Sequence, residues 1–598
     1  MSVMPLVTGR TRRFAGAFPG LALALTVACS DGAARIGSPQ SNVGVAATVT
    51  VQPSPVALVA GDSVQLSATV RDVNGTVISG AAVNWSVANT QTASVSALGL
   101  LRGHAAGTTV ITASSTPASG QATVTVSAPQ GGPPYRPDLV TYLGGALSDM
   151  PRDVTVDGGG NVLVVGNTES LNFPTTPGVI SNSRQSGFDP PSDAFLTSLS
   201  PAGTVRWSTY LGGPNYERAY AVEVDAQGFV YVGGRAGAGF PVTAGAFQTQ
   251  FAGGSTSNFY GPQDAFVCKL RPDGTARVWC SYFGVGDDGI SRDLDIDAQG
   301  NVYLVAWTQN GGFPAAWFAN SYKPTKSAGL DIVVAKVKAD GSQVLWATYL
   351  GGAGDDAGTP AIRVDKDGNV LVLFQTTSAG LPTPNGADNS LSGANDQFLA
   401  KLSADGSQLL YGTYIGGNGT EASETHGLAV DPQGDGIVAV ATTSTDLPTL
   451  ASASQRQNGG GGSDVGVWKV SPTGKFLAVT YYGGSGSDAT QGVSTDAAGN
   501  VYFSATTDSP TLPLTIAGGV GGGDDVVAVK LSGDLSRLVY AQRFGGRSGD
   551  IARASWVGPQ GQFVIVGQTT STNFPVLSAP FATPPGGSLD GFLIRVVP

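Results

Sequence analysis

The chain is poor in the residues on which catalysis and metal binding draw. Its 598 residues include 2 His, 3 Cys and 3 Met. Neither a G-x-S-x-G nucleophile elbow nor an H-E-x-x-H zinc helix occurs in it. Only 13% of the residues are charged, and no run of Lys or Arg follows the first 13 positions, so the electrostatic footprint of nucleic-acid binding is missing. The net charge of −11 is thinly spread. The apolar stretch 14–28 is broken by Gly16, Pro19 and Gly20 and falls short of the ~20 residues that span a bilayer as a helix. Abundant Gly (86) and Pro (36), with much Thr, Ser and Val, argue against helix. What remains is an all-β chain, 41% apolar, with ample material for a packed core.

Residues 1–28 read as an export signal, with Arg10, Arg12 and Arg13 ahead of the apolar stretch. Leu25-Thr26-Val27-Ala28-Cys29 resembles the bacterial lipobox, in which cleavage leaves the cysteine as a lipid-modified N-terminus; Thr26 departs from the Leu preferred there. The resemblance implies lipidation at Cys29, and Ser30 beside it resembles the outer-membrane sorting pattern. Each buried methylene contributes about 0.8 kcal/mol, so two or three acyl chains hold firmly. An exported protein, lipid-anchored at the outer membrane or cell surface, is expected. Residues 29–45, rich in Ser, Gly and Ala, read as a flexible tether.

From 46 to 127 short alternating strands with turn signals suit one β-sandwich. Asp62, Asn84-Trp85-Ser86, Ala93-Ser94-Val95-Ser96 and Gly107-Thr108-Thr109-Val110-Ile111 resemble the bacterial Ig-like domain, group 2, whose modules act as spacers or adhesive units. The segment has no cysteine pair, so Trp85 is expected in the core. Residues 128–137 form a Pro/Gly linker.

Residues 138–598 are a repeat. Tyr142-Leu143-Gly144, Tyr210-Leu211-Gly212, Tyr282-Phe283-Gly284, Tyr349-Leu350-Gly351, Tyr414-Ile415-Gly416, Tyr481-Tyr482-Gly483 and Arg543-Phe544-Gly545 recur at intervals of 62 to 72 residues. Each unit reads as four antiparallel strands, a propeller blade. Tight turns such as Asp297-Ala298-Gln299-Gly300 suit hairpins, because Asp binds the backbone two residues on and Gly takes positive φ. The array opens with an orphan fourth strand at 139–143 and ends after a third strand at 591–597, so the first is expected to complete the last blade. Thr209-Tyr210-Leu211-Gly212-Gly213, Asn172-Phe173-Pro174-Thr175-Thr176 and Asp264-Ala265-Phe266-Val267 resemble the bacterial repeat family named for the seven-bladed β-propeller, SBBP. That resemblance implies the fold and an exported address, and no settled activity. The seventh unit departs most, with Gly558 in place of the turn Asp and Arg543 replacing the aromatic.

Loops between second and third strands run about 17 to 29 residues, far beyond hairpin length, so the face they share is the binding candidate. Each carries an apolar-proline anchor, Phe173-Pro174 being the first. Aromatics outside that pattern, Phe251, Phe259, Tyr260, Trp317, Phe318 and Tyr322, are the ligand-binding candidates, for stacking on sugars or anchoring a protein. An acidic ring recurs at the blade connections: Asp149, Glu217, Asp288, Asp356, Glu421, Asp488 and Asp550. Neighbours ~10 Å apart would repel by only about 0.4 kcal/mol in water and ~1.7 at a dielectric of 20, so loop capping needs no cation. Asp293-Leu294-Asp295-Ile296-Asp297 begins like a calcium loop, but Ala298 and Leu304 replace its required Gly and Glu; neither calcium nor any other cofactor is expected. Cys268 and Cys280 flank a tight turn on adjacent strands, and a disulfide is permitted there if they face each other. His426, flanked by Glu421 and Glu424, is the one candidate general base. The expected function is a non-enzymatic platform for adhesion or for capture of a protein or glycan, monomeric, with the membrane reached through its lipid. A structural envelope component without a specific ligand and a propeller lyase or hydrolase using His426 are the alternatives.

Overall fold

The computed structural model describes residues 44–59, 63–97, 99–127, 135–254, 259–286, 290–422, 426–516, 518, 522–578, 580–581 and 589–598. Cys29, Asp62, Asp288 and Glu424 lie outside them. The chain divides into two compact units, 1–130 and 131–598. Among the described residues the regular structure is β, apart from one 3-10 turn at Ala315–Phe318.

In the first unit, Val56–Val59, Ala118–Ser127, Gly107–Ser115 and Asn84–Val87 form one sheet and Ser63–Gln65, Leu100–Gly103 and Ala93–Val95 another. Alternation such as Ala122, Val124 and Val126 inward against exposed Gln121, Thr123 and Thr125 lays an apolar face on the core. Trp85 packs against that core while staying half-buried.

The second unit holds seven sheets among the described residues, and in blades one to six the strands lie in sequence order. Blade one is Asp149–Val156, Val162–Thr168, Asp193–Leu199 and Val205–Leu211. The first strands touch one another around a circle, that of blade one meeting those of blades two and seven. Second and third strands are sandwiched between neighbouring blades, which is why Val162–Thr168 is buried throughout and reads as a continuous rather than an alternating apolar run. Leu163, Val165 and Leu196 of blade one thus share a core with Val222, Val232 and Cys268 of blade two.

Blade seven joins the first strand of the array to its last. Arg136–Leu143 pairs antiparallel with Asp590–Val597, Val140 opposite Ile594 and Leu143 opposite Gly591, and Arg595 forks onto Asp138 at 2.8 and 2.9 Å. The propeller begins earlier than the composition suggested. Arg136 and Pro137 are already in the strand, and Tyr135 packs on Tyr540 with its hydroxyl 3.1 Å from that of Tyr502, because this edge offers an aromatic shelf that local sequence does not reveal. Arg543 belongs to the outer strand of blade six, Leu538–Phe544, not to blade seven, since each Tyr-Leu-Gly step ends a blade rather than opening one.

The short-turn face is held by the turn aspartates. Asp157 accepts from the N–H groups of Gly159 and Asn161 at 2.9 and 2.8 Å, and Gly160 takes φ +79°. Lysines of third strands pair with these acids in five blades, as Lys401 does with Asp365 at 2.8 Å. Cys268 and Cys280 stand opposite each other and form a disulfide.

Candidate functional site

On the opposite face, the recurring step of the repeat fastens a long loop in six of the units. The Tyr414 hydroxyl donates to Ser378 O at 2.7 Å and accepts from Leu381 N–H at 2.9 Å, fixing the Leu381-Pro382 anchor; Tyr142, Tyr210, Tyr282 and Tyr481 do the same in their blades. Arg543 stands in for that tyrosine by donating to Ser509 O. The anchors Phe173, Phe240, Phe313, Leu381, Leu447, Leu512 and Phe574 are all buried. The six described members of the acidic ring, Asp149, Glu217, Asp356, Glu421, Asp488 and Asp550, are fully buried and accept hydrogen bonds from loop N–H groups and, in all but Glu217, from hydroxyls of their own blade. Asp356 accepts from Gly352 N–H at 2.7 Å, Thr376 Oγ1 at 2.5 Å and Ser378 Oγ at 2.8 Å. Burial pushes Glu217 up to about 8 and Asp149 up to about 6, against the opposing pull of the N–H groups of Gly213 and Gly145. A second acid opens each third strand, and Asp331 caps the long loop through Ser327 N–H at 2.8 Å. The glycine of the step lies between the two carboxylates. A Cβ on Gly351 would come 2.8 Å from Asp331 and 2.9 Å from Asp356, so a side chain there would push the capping carboxylates aside.

The candidate aromatics separate. Phe318 is stacked on Tyr349 at 4.6 Å, Trp317 lies parallel to Phe283 at 6.2 Å, Phe251 sits 5.5 Å from Tyr282, and Tyr322 packs against the core shared by blades three and four. These four are loop core. Phe259 is 71% exposed and meets the half-buried Tyr260 edge-on at 5.1 Å.

The axis of the ring is polar. His426 lies where the inner strand of blade five breaks between Glu421–Ala422 and Leu428–Val430, at φ +69°, in the left-handed region that a non-glycine residue rarely adopts. Its ring crosses the axis, with Nε2 3.5 Å from Asp153 and 3.2 Å from Tyr220 O and Nδ1 3.4 Å from Asp293. Burial alone would lower His426, but Asp153 and Asp293 outweigh it and raise it, since both carboxylates favour the charged ring. Arg363 of blade four pairs with Asp293 at 2.7 Å. Asp153 and Asp295 are pushed by burial to about 6, while Asp293, for which burial is outweighed by Arg363 and His426, is lowered. Asp153, Asp293 and Asp295 also accept from the N–H groups of Val222, Ile362 and Val364, so this layer stitches one inner strand to the next.

Nearer the long-loop face, Arg152, Tyr220 and Arg292 occupy one and the same place on the inner strands of blades one to three, five residues ahead of the turn acids Asp157, Asp225 and Asp297. Arg218 and Arg235 join them from blade two, 8% and 4% exposed. Arg235 lies 4.1 Å over Tyr260 and 5.1 Å over Tyr216, Arg218 5.4 Å over Tyr216, and Arg292 4.5 Å over Tyr220. Burial would raise the Tyr220 phenol; Arg218, Arg235, Arg292 and Arg152 outweigh it and bring it down to about 7. Among the candidate residues only Tyr260 enters this cluster, and the sequence reading missed the arginines. Their signal is that an otherwise repetitive strand changes residue at one register from blade to blade. Among the described residues no group of three His, Cys, Asp or Glu side chains is arranged as metal ligands.

Residues 45–126 match the model of the bacterial Ig-like domain (group 2), and residues 140–174 that of the beta-propeller repeat SBBP. The regulatory protein FlaEY of Caulobacter vibrioides is 26% identical over 246 residues, 38% of this chain and 24% of its own length, so this chain spans about a quarter of that relative. Among solved structures, a polysaccharide lyase of family PL25, an ulvan lyase, aligns at TM-score 0.40 and 10% identity over 72% of this chain and 92% of its own. The quinohemoprotein alcohol dehydrogenase of Comamonas testosteroni aligns at 0.35 and 12% over 93% and 78%. The chain therefore joins a bacterial Ig-like domain of group 2 to an array that opens with an SBBP beta-propeller repeat.

Proposed function

We propose that this chain is a non-enzymatic surface protein that captures a ligand, protein or glycan, at the axis of its long-loop face. Lipid on Cys29 holds it to the membrane, residues 29–45 give reach, the Ig-like domain spaces it outward, and the propeller is the receptor. One observation carries the reading. The residues that the repeat needs for folding recur in blade after blade, whereas those at the axis differ between blades and gather charge and aromatic surface that the fold does not require. Against an enzyme, both ring nitrogens of His426 face partners within the axis, which leaves no open nitrogen for a substrate proton. Glycan-array and pull-down binding by the full chain, lost in Tyr260→Ala, is the expected outcome. No partner in either assay would favour the purely structural envelope component, and turnover abolished by His426→Ala would favour the enzyme. Cys29→Ser should move the protein from membranes to a soluble exported fraction; unchanged partition would sink the anchor.

A further inference from the structure

Of the four arginines at the axial mouth, Arg218, Arg235 and Arg292 have no acid among the described residues to balance them. Among the described residues, no carboxylate forms an ion pair with Arg218, Arg235 or Arg292 at 4.0 Å or less, and the Nε of each is buried without a hydrogen-bond partner. Arg218 spends its terminal nitrogens on phenols, Nη1 donating to Tyr220 at 3.4 Å and Nη2 to Tyr216. Glu169 is within electrostatic reach of Arg218, though not paired with it. The contrast with the floor of the axis is direct: there Arg363 has Asp293 at 2.7 Å and His426 has two acids. Uncompensated charge at such depth is costly, and it is relieved when an anion arrives. The planar guanidinium fork is also the group best matched to an oxyanion.

We propose that this mouth binds an acidic polysaccharide, with a carboxylate or sulfate received by Arg218, Arg235 and Arg292 and a sugar ring lying on the Phe259–Tyr260 aromatic pair. This deepens the binding reading above by naming the ligand class, and it rests on that reading. Arg292 and Tyr260 are half-exposed and form the way in, Phe259 extends the aromatic surface into solvent, and Arg218 and Arg235 lie beneath. The same positive field is what depresses the Tyr220 phenol. In its neutral form that hydroxyl is a donor available to the anion; ionised, it is a rival for the arginines.

The experiment is calorimetric titration of the full chain at constant ionic strength with polygalacturonate, dextran sulfate, neutral dextran, and sodium acetate or sulfate. Both charged polymers, or one of them, should bind, neutral dextran should not, and small anions should compete weakly. Arg235→Met and Arg292→Met should each weaken the polymer by about 30-fold or more, as expected when one member of a desolvated charge pair is lost. Their melting temperatures should not fall, because a guanidinium without a carboxylate partner is removed rather than an ion pair broken; a merely structural role would lower them. Which polymer binds separates the carboxylate source from the sulfate source. Failure of every anionic probe, equal binding of neutral dextran, or full affinity in both arginine variants overturns the inference. A protein or neutral glycan still captured in a Tyr260-dependent way would then leave the broader binding reading standing.

Discussion

The rim and the axis of the propeller use polar side chains in opposite ways. At the rim, Asp356 is surrounded by donors from Gly352, Thr376 and Ser378, and the Tyr414 hydroxyl both gives and receives a hydrogen bond; other blades repeat the arrangement with the same residue types. At the axis, Arg152, Tyr220 and Arg292 fill one register in three consecutive blades, and His426 reaches across to all three, at Asp153, the Tyr220 carbonyl and Asp293. Satisfied polar groups in repeated positions tie a loop to a blade. Unlike residues brought to one axis make a surface that no single blade contains. Polarity at the rim therefore serves the fold, and polarity at the upper axis is where the proposed ligand would be received.

The largest effect should come from breaking the ring itself. Deleting residues 1–134 should leave a folded propeller, whereas deleting through Gly145 removes the strand Arg136–Leu143 and leaves the edge of Asp590–Val597 unpaired. Differential scanning calorimetry should give a markedly lower melting temperature for the longer deletion, and equal values would mean that the clasp contributes nothing. Next comes the floor of the axis. Arg363→Met takes from the buried Asp293 carboxylate its nearest cation, leaving His426 and the Ile362 N–H, and should cost about 3 kcal/mol in chemical denaturation. A loss below 1 kcal/mol would show this layer to be as dispensable as the mouth. At the rim, Tyr414→Phe leaves Ser378 O and Leu381 N–H without their partner and should cost about 1–3 kcal/mol. Arg543→Met should cost a similar amount if the arginine does the tyrosine's work on Ser509.

The smallest effect on stability, and the sharpest readout of the mouth, is the titration of Tyr220. Its folded value of about 7 lies below the ordinary ~10, so the stabilisation due to the ionised phenol accrues above pH 7 and is lost as pH falls through 7. The groups that face it are Arg218, Arg235, Arg292, Arg152, Tyr216 and Tyr260, with His426 at its carbonyl. Ultraviolet difference spectra should show one phenol ionising near neutrality, absent in Tyr220→Phe and shifted upward in Arg235→Met. An unchanged midpoint in Arg235→Met would break the link between this arginine and the phenol.

Much of the rim was legible in the sequence because it obeys rules of local chemistry repeated at a fixed period. Tight turns need an Asp and a positive-φ Gly, strands need apolar residues, and an array beginning with a fourth strand and ending with a third invites pairing of the two. The acid ring was visible as a pattern, but its targets were not: Gly352 N–H and Ser378 Oγ meet Asp356 only once the loop has folded back. Trp317 and Phe318 looked like candidates because they break the pattern, yet a 3-10 turn lays them on Phe283 and Tyr349.

The order of the domains, the number of blades, the phase of the repeat and the face carrying the long loops follow from the chain itself, since each depends on contacts within one repeat or on its count. The axis does not. Arg152, Tyr220, Arg292, Arg363 and His426 come from five blades spread over some 270 positions, and each looks like an ordinary polar residue of a half-buried strand. Only closure of the ring brings their side chains together, and with them the burial that decides how strongly their charges act on one another.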